Sequence, residues 1–217
     1  MVEIVEYDEI WEVQAAVARV ELLSLEVFEA VEHIGSTSVP GLAAKPVIDL
    51  MAAGDLDAVA AREGDLARLG YQRFDTGMPD RLFCFRDENG QRAYQLHVVP
   101  AGSWGTNNER LLRDYLRAHP EDARRYGDLK RRLAAEYTDG TEYTRGKTEL
   151  IQELTDRARA ARGLPPSTSG KSKRASRSAS YPSTPPRPPA VRTCPLILRR
   201  RMVHPPARIT GWIGVMG

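Results

Sequence analysis

The run His33-Ile34-Gly35-Ser36-Thr37-Ser38-Val39-Pro40-Gly41-Leu42-Ala43-Ala44-Lys45-Pro46-Val47-Ile48-Asp49-Leu50 constrains this chain more than any other. It reads as the end of one strand, a tight polar turn, and a second buried strand bearing a single carboxylate. Gly35 lets a backbone approach a ligand closely, and the Ser36, Thr37 and Ser38 hydroxyls add short donors, so the turn suits an anion. Pro46 forces Lys45 out of helical geometry and puts its ammonium on an extended lead-in to the strand. Asp49 then interrupts the apolar run Val47-Ile48-Asp49-Leu50-Met51. A carboxylate there is costly unless it is paired or binds a metal, which makes Asp49 the first functional candidate.

A chain of 217 residues accommodates one domain and a small appendage. The charge is unevenly placed. Residues 163–217 hold ten Lys/Arg and no Asp/Glu, whereas residues 1–162 carry a net charge of −8. No apolar run reaches the roughly 18 residues that a membrane span needs, so no membrane association is expected. The acidic, mixed N-terminus does not read as a signal peptide, and a cytoplasmic location follows as an expectation. Cys84 and Cys194 fit neither a metal spacing nor a disulfide framework, and Cys84 reads as a core thiol.

Periodicity supplies the elements. Trp11, Ala15, Ala18, Leu22 and Leu25 form the inner stripe of a helix over 8–24. Strands are expected over 27–34 and 46–53, then a helix from the cap Asp55 to about Leu69, closed by Gly70. Strands over 71–74, 81–86 and 92–99 follow, with Asn89-Gly90 as a hairpin turn. Leu96 and Val98 share one face of the last strand, and Gln95, His97 and Val99 the other. Helices are expected over 105–118, from Pro120 through Tyr137, and over 141–162, where Gly163 and Pro165 stop the last. From Leu164 the chain turns dense in Ser, Pro and Arg without apolar periodicity. A domain over 1–162 and a disordered basic tail over 163–217 are therefore expected. The tail reads as an appendage or an out-of-frame extension. It lacks interleaved aromatics, and nucleic acid is not an expected partner.

These residues resemble a known family. The 33–49 run, together with Arg113-Asp-Tyr-Leu-Arg-Ala-His-Pro120, Tyr126-Gly-Asp-Leu-Lys-Arg-Arg-Leu133 and Tyr143-Thr-Arg-Gly-Lys147, is similar to the signature of the GrpB family across residues 1–162. That family resembles the nucleotidyltransferase superfamily. The resemblance implies an α/β fold in the α+β sense, a mixed sheet of the polymerase-β-palm kind with a helical C-terminal half. A related domain is fused to dephospho-CoA kinase in some bacteria. The superfamily pattern is Gly-Ser on a turn, then Asp-x-Asp/Glu on a strand and a third carboxylate on a neighbouring strand. Gly35-Ser36 fits its first part, and Asp49 fits the first carboxylate with twelve residues between Ser36 and Asp49. Met51 stands where the second belongs, on the same strand face as Asp49. The third position falls near Gln95 or His97, again without a carboxylate.

Two functional readings follow. In the first, the domain binds a nucleotide or other phosphorylated ligand and transfers a nucleotidyl or phosphoryl group. Asp49 is then the catalytic residue and the ligand of one Mg²⁺ or Mn²⁺. Gly35, Ser36, Thr37, Ser38, Lys45, His97 and Lys147 are the ligand-binding set. Arg81 and Arg86 join it if the fold brings them near. In the second, the domain is catalytically degenerate and binds a ligand or assists a partner protein, and Met51 favours this reading. A structural alternative accompanies each residue: Asp49 pairing with Lys45 or His97, His97 packed in the core, and Arg113, Asp114 and Arg117 as a salt-bridged helix face. A P-loop is excluded because Pro46 prevents Lys45 from opening a helix.

Overall fold

The computed structural model describes residues 2–167. Five strands form one mixed sheet: β1 (Ala30–Ile34), β2 (Ile48–Ala53), β3 (Gln72–Phe74), β4 (Leu82–Glu88) and β5 (Gln91–Val99), in the order β1-β2-β5-β4-β3. Only β2 and β5 run parallel; the other neighbouring pairs are antiparallel. The α/β class and the mixed sheet agree with the sequence reading.

Strand alternation divides the chemistry between two faces. One face carries Val31, Leu50, Ala52, Leu96, Val98 and Cys84. It packs on the inner stripe Trp11, Ala15, Ala18 and Leu22 of α1 (Ile10–Leu23) and on α2 (Leu56–Ala61) and α3 (Glu63–Arg68). The outer side of α1 leaves Ile10, Val13, Val17 and Val20 exposed. The opposite sheet face carries Ile34, Asp49, Met51, Gln95 and His97, paired across the strands by register. The helical half comprises α4 (Asn108–Ala118), α5 (Pro120–Glu136), α6 (Gly140–Gly146) and α7 (Thr148–Ala160).

Two expected helices are each split in the structure. The helix over 55–69 breaks at Arg62, and the helix over 141–162 breaks at Lys147. The helix expected from 105 begins at Asn108, capped by the Asn107 side chain, after a 3₁₀ stretch over 101–106. Residues 163–167 stay tied to α7, past the expected boundary at 162. Arg159 donates to the Pro165 carbonyl, and the Ser167 amide donates to Asp156. The rest of the expected tail, 168–217, lies outside the described residues. Among the described residues no helix is long and apolar enough to cross a membrane.

An ion-pair clamp joins α4 to β1. Arg113 is buried and donates to Glu32 at 2.6 Å and to the His33 carbonyl at 2.9 Å, while Arg110 adds a two-bond fork to the same carboxylate. Burial alone would raise the Glu32 pKa. The hydrogen bonds from Arg110 and Arg113 outweigh it and hold the carboxyl below its ordinary value. The pair therefore stabilises the fold at neutral pH and loses its contribution as pH falls through the depressed value. Arg113→Ala should lower unfolding free energy by about 2 kcal/mol at pH 7. Urea titrations should show this difference shrinking as Glu32 protonates.

Candidate functional site

The turn between β1 and β2 is fixed from within. The Thr37 hydroxyl donates to the Val47 carbonyl at 3.1 Å and lies 2.9 Å from His33 Nε2. With the hydroxyl proton committed to Val47, His33 Nε2 is the donor in that contact. Burial first, then the Arg117, Arg113 and Arg19 charges, lower the His33 pKa to about 4, so the ring is neutral. The Ser38 hydroxyl donates to the Gly35 carbonyl at 2.6 Å, and the Ser38 carbonyl accepts two bonds from Arg117. Thr37 and Ser38 are buried, so two of the three hydroxyls hold the bend itself. Ser36 turns elsewhere and lies beside the Tyr126 phenol.

This bracing sets Gly35 against Asp49. Gly35 has φ +72°, a left-handed conformation that favours glycine. A Cβ at Gly35 would fall 2.8 Å from Asp49 Cβ and 2.9 Å from Asp49 Cγ, closer than packed atoms allow. The carboxylate fills the space that any other residue at 35 would take. Bend and acid therefore meet on one side of the sheet, and Asp49 keeps part of its surface open.

Three lysine charges act on this carboxylate through space. Burial raises the Asp49 pKa to about 7 against the opposing pull of Lys147, Lys45 and Lys130, with Glu109 adding to the rise. Lys45 is exposed and Lys147 half-buried, whereas Lys130 is only 2% exposed. Lys130 Nζ lies 4.6 Å from the Tyr126 ring centroid and has no hydrogen-bond partner. Lys147 Nζ lies 4.3 Å from the Tyr143 centroid. Burial, with the neighbouring Lys147 and Arg131 charges, brings Lys130 down to about 7. Burial brings Lys147 down to about 8 against the pull of Asp49. Gly146 lets α6 close on α5, since a Cβ there would meet the Leu133 side chain at 2.6 Å, and Lys147 follows directly.

Other candidates fall elsewhere. His97 pairs by register with Met51, one strand from Asp49, and faces Glu109 and Arg81, which bond each other at 2.7 Å. Its Nδ1 is buried without a hydrogen-bond partner, and burial lowers its pKa to about 4. Arg86 lies on the opposite sheet face, over Tyr94 and bonded to Glu21. Met51 is fully buried with Ile34 and Val99. Lys130, Tyr126 and Tyr143 were not expected as site residues. Their signal is the repeated Tyr-x-x-x-Lys spacing at 126–130 and 143–147, which stacks an ammonium on a ring one helical turn back.

A surface concavity of about 1030 Å³ lies away from this site. It lies over Pro40–Ala43 between α1 and the start of α5. Its Arg117 and Arg131 are committed to the Ser38 carbonyl and to Glu6 and Asp128. The charge without a salt-bridge partner gathers around the part-buried Asp49 instead, which is the better mark of function.

The family model described as GrpB protein matches residues 1–157. The chain belongs to the GrpB family. It is 34% identical to the UPF0157 protein YqkA of Bacillus subtilis over 163 residues, which cover 73% of this chain and 47% of that protein. It is 39% identical to a UPF0157 protein of Pseudomonas aeruginosa, covering 64% of this chain and 60% of that protein. The match thus spans about half to three-fifths of the length of these two relatives. The crystal structure of the conserved protein GrpB from Enterococcus faecalis superposes with a TM-score of 0.67 at 30% identity, over 72% of this chain and 96% of that one.

Two outcomes are expected from the Gly35–Asp49 contact. Gly41 has φ +74° with open space around it, so Gly41→Ala should cost about 1 kcal/mol from backbone strain alone. Gly35→Ala adds the collision with Asp49 and should cost about 3 kcal/mol in a urea titration. The raised Asp49 pKa gives a pH signature. Between pH 3.8 and about 7 the native state holds a proton that the unfolded state releases, so this group's contribution falls as pH rises. Asp49→Asn should gain stability relative to wild type across that window and level off above it.

Proposed function

We propose that the Gly35–Asp49 site binds a nucleotide or another phosphorylated small molecule and that Asp49 serves the transfer of its phosphoryl or nucleotidyl group. The observation that carries this reading is a single carboxylate, seated on a glycine bend, whose charge is felt by three lysines that make no salt bridge to it. In this reading Lys45, Lys147 and the Ser36 hydroxyl contact the ligand, and Gly35 lets it approach the backbone. Thr37 and Ser38 shape the bend. A carboxyl whose pKa lies near 7 can take a proton from an attacking hydroxyl at neutral pH, which is the task of a general base.

The Mg²⁺ or Mn²⁺ expected from the superfamily pattern does not fit these residues. A divalent ion of that kind wants several oxygen ligands. Asp49 is one carboxylate among three cations, the partner position is the buried Met51, and among the described residues no group of His, Cys, Asp or Glu is arranged to hold a metal. No step is routed through a metal. The same Met51 supports the second reading, a domain that binds the ligand without turning it over.

Thermal denaturation with nucleoside triphosphates, nucleoside monophosphates, sugar phosphates and plain nucleosides, at constant ionic strength, separates these readings. A cognate phosphorylated compound at a hundred times its Kd should stabilise the protein by about 2.7 kcal/mol, while the matching nucleoside does nothing. Asp49→Asn should keep that shift and lose any transfer of label from the donor. A shift without transfer in wild type selects the binding-only reading. The absence of a shift with every phosphorylated compound overturns both.

A further inference from the structure

Lys130 is the group that binding by Lys45 and Lys147 leaves unexplained. Its ammonium is almost wholly enclosed and carries three donors, yet it has no hydrogen-bond partner, and its nearest aromatic neighbour offers only a ring face. A buried unpaired charge is costly, and chains rarely keep one without use. Asp49 does not neutralise it. Among the described residues none of Lys45, Lys130 and Lys147 has a carboxylate within the 4.0 Å of a salt bridge, although all three act on Asp49 through space. No lysine closes on the acid. Glu109, the other carboxylate acting on Asp49, is paired with Arg81, so with Asp49 and the three lysines ionised the cluster carries a local excess of two positive charges.

We propose that Lys45, Lys130 and Lys147 neutralise the phosphate chain of the ligand directly, so that the site takes a free di- or triphosphate rather than its magnesium complex, with the Lys130 ammonium as the innermost contact. This rests on the phosphorylated-ligand reading above and adds to it the charge state of the ligand. A free diphosphate or triphosphate supplies at least the two negative charges that the site lacks, and its oxygens supply acceptors for Lys130. Magnesium would remove two of those charges. It would also bring a hydrated cation against three ammoniums at close range, where Coulomb repulsion is large in a partly buried site. The Tyr126 and Tyr143 phenols stay protonated, since burial drives both pKa values up, and remain available as donors.

Isothermal titration with pyrophosphate, tripolyphosphate and ATP tests this, in EDTA and in excess Mg²⁺ at matched ionic strength, with orthophosphate as a control. The expected result is binding in EDTA that Mg²⁺ weakens at least tenfold. Lys130→Met should lose at least tenfold in affinity while its Tm holds or rises, because an unpartnered buried charge has gone; a lysine kept only for structure would give a lower Tm and unchanged affinity. Lys147→Gln, at a half-buried position, provides a second variant with the same expected loss. Binding that appears only with Mg²⁺ overturns this inference and leaves the phosphorylated-ligand reading standing. Unchanged affinity in both lysine variants also overturns it. No binding in either buffer overturns the two together.

Discussion

Asp49 can occupy its place on the sheet only because Gly35 has no side chain. The carboxylate lies over the glycine Cα, and that seat exists only while the bend keeps its left-handed residue at 35. The rest of the site follows from this contact. The acid is held there part-buried, and its charge is felt by lysines of the lead-in to β2 and of the helical half. The chain meets it with ammonium groups held at a distance rather than with a direct ion pair. A close salt bridge would satisfy the acid, and none is made.

The bend in turn depends on groups that touch no ligand. His33, Thr37 and the Val47 carbonyl form a buried relay from β1 through the turn to the lead-in of β2. Arg117 reaches from α4 to the Ser38 carbonyl, and Arg113 reaches to Glu32 and the His33 carbonyl. Two helical arginines thus fix the backbone on either side of the glycine. Hydroxyls that look like ligand donors in the sequence act here as rivets, because a turn this short leaves few other partners for its own polar groups. Local precision at Gly35 is supplied from a helix about eighty residues further along the chain.

Much of this was legible from residue order. Alternation placed Asp49 and Met51 on one strand face and His97 with Gln95 on a face of its own strand, and the strand register then brings the two faces together. Two kinds of fact were not legible. One is the breaks at Arg62 and Lys147, where a continuous stripe of apolar residues conceals a change of direction that packing imposes. The other is Lys130. Written among Arg131 and Arg132 on a polar helix, it reads as a solvated charge near a helix end, and only the packing of the folded chain around α5 encloses it. The Tyr-x-x-x-Lys repeat was visible, but a ring beneath an ammonium becomes meaningful only when both are buried.

Met51 and Lys130 are best understood together. A second carboxylate at 51 would sit among Ile34 and Val99 and would need a cation brought to it. With methionine there, the apolar cluster closes and no cation is required to offset the repulsion of two acids. One negative charge then remains on that face beside an excess of positive charge. The thioether on β2 and the enclosed lysine on α5 therefore set the balance of charge around Asp49. That balance, more than any likeness of fold, is what the proposed ligand must match.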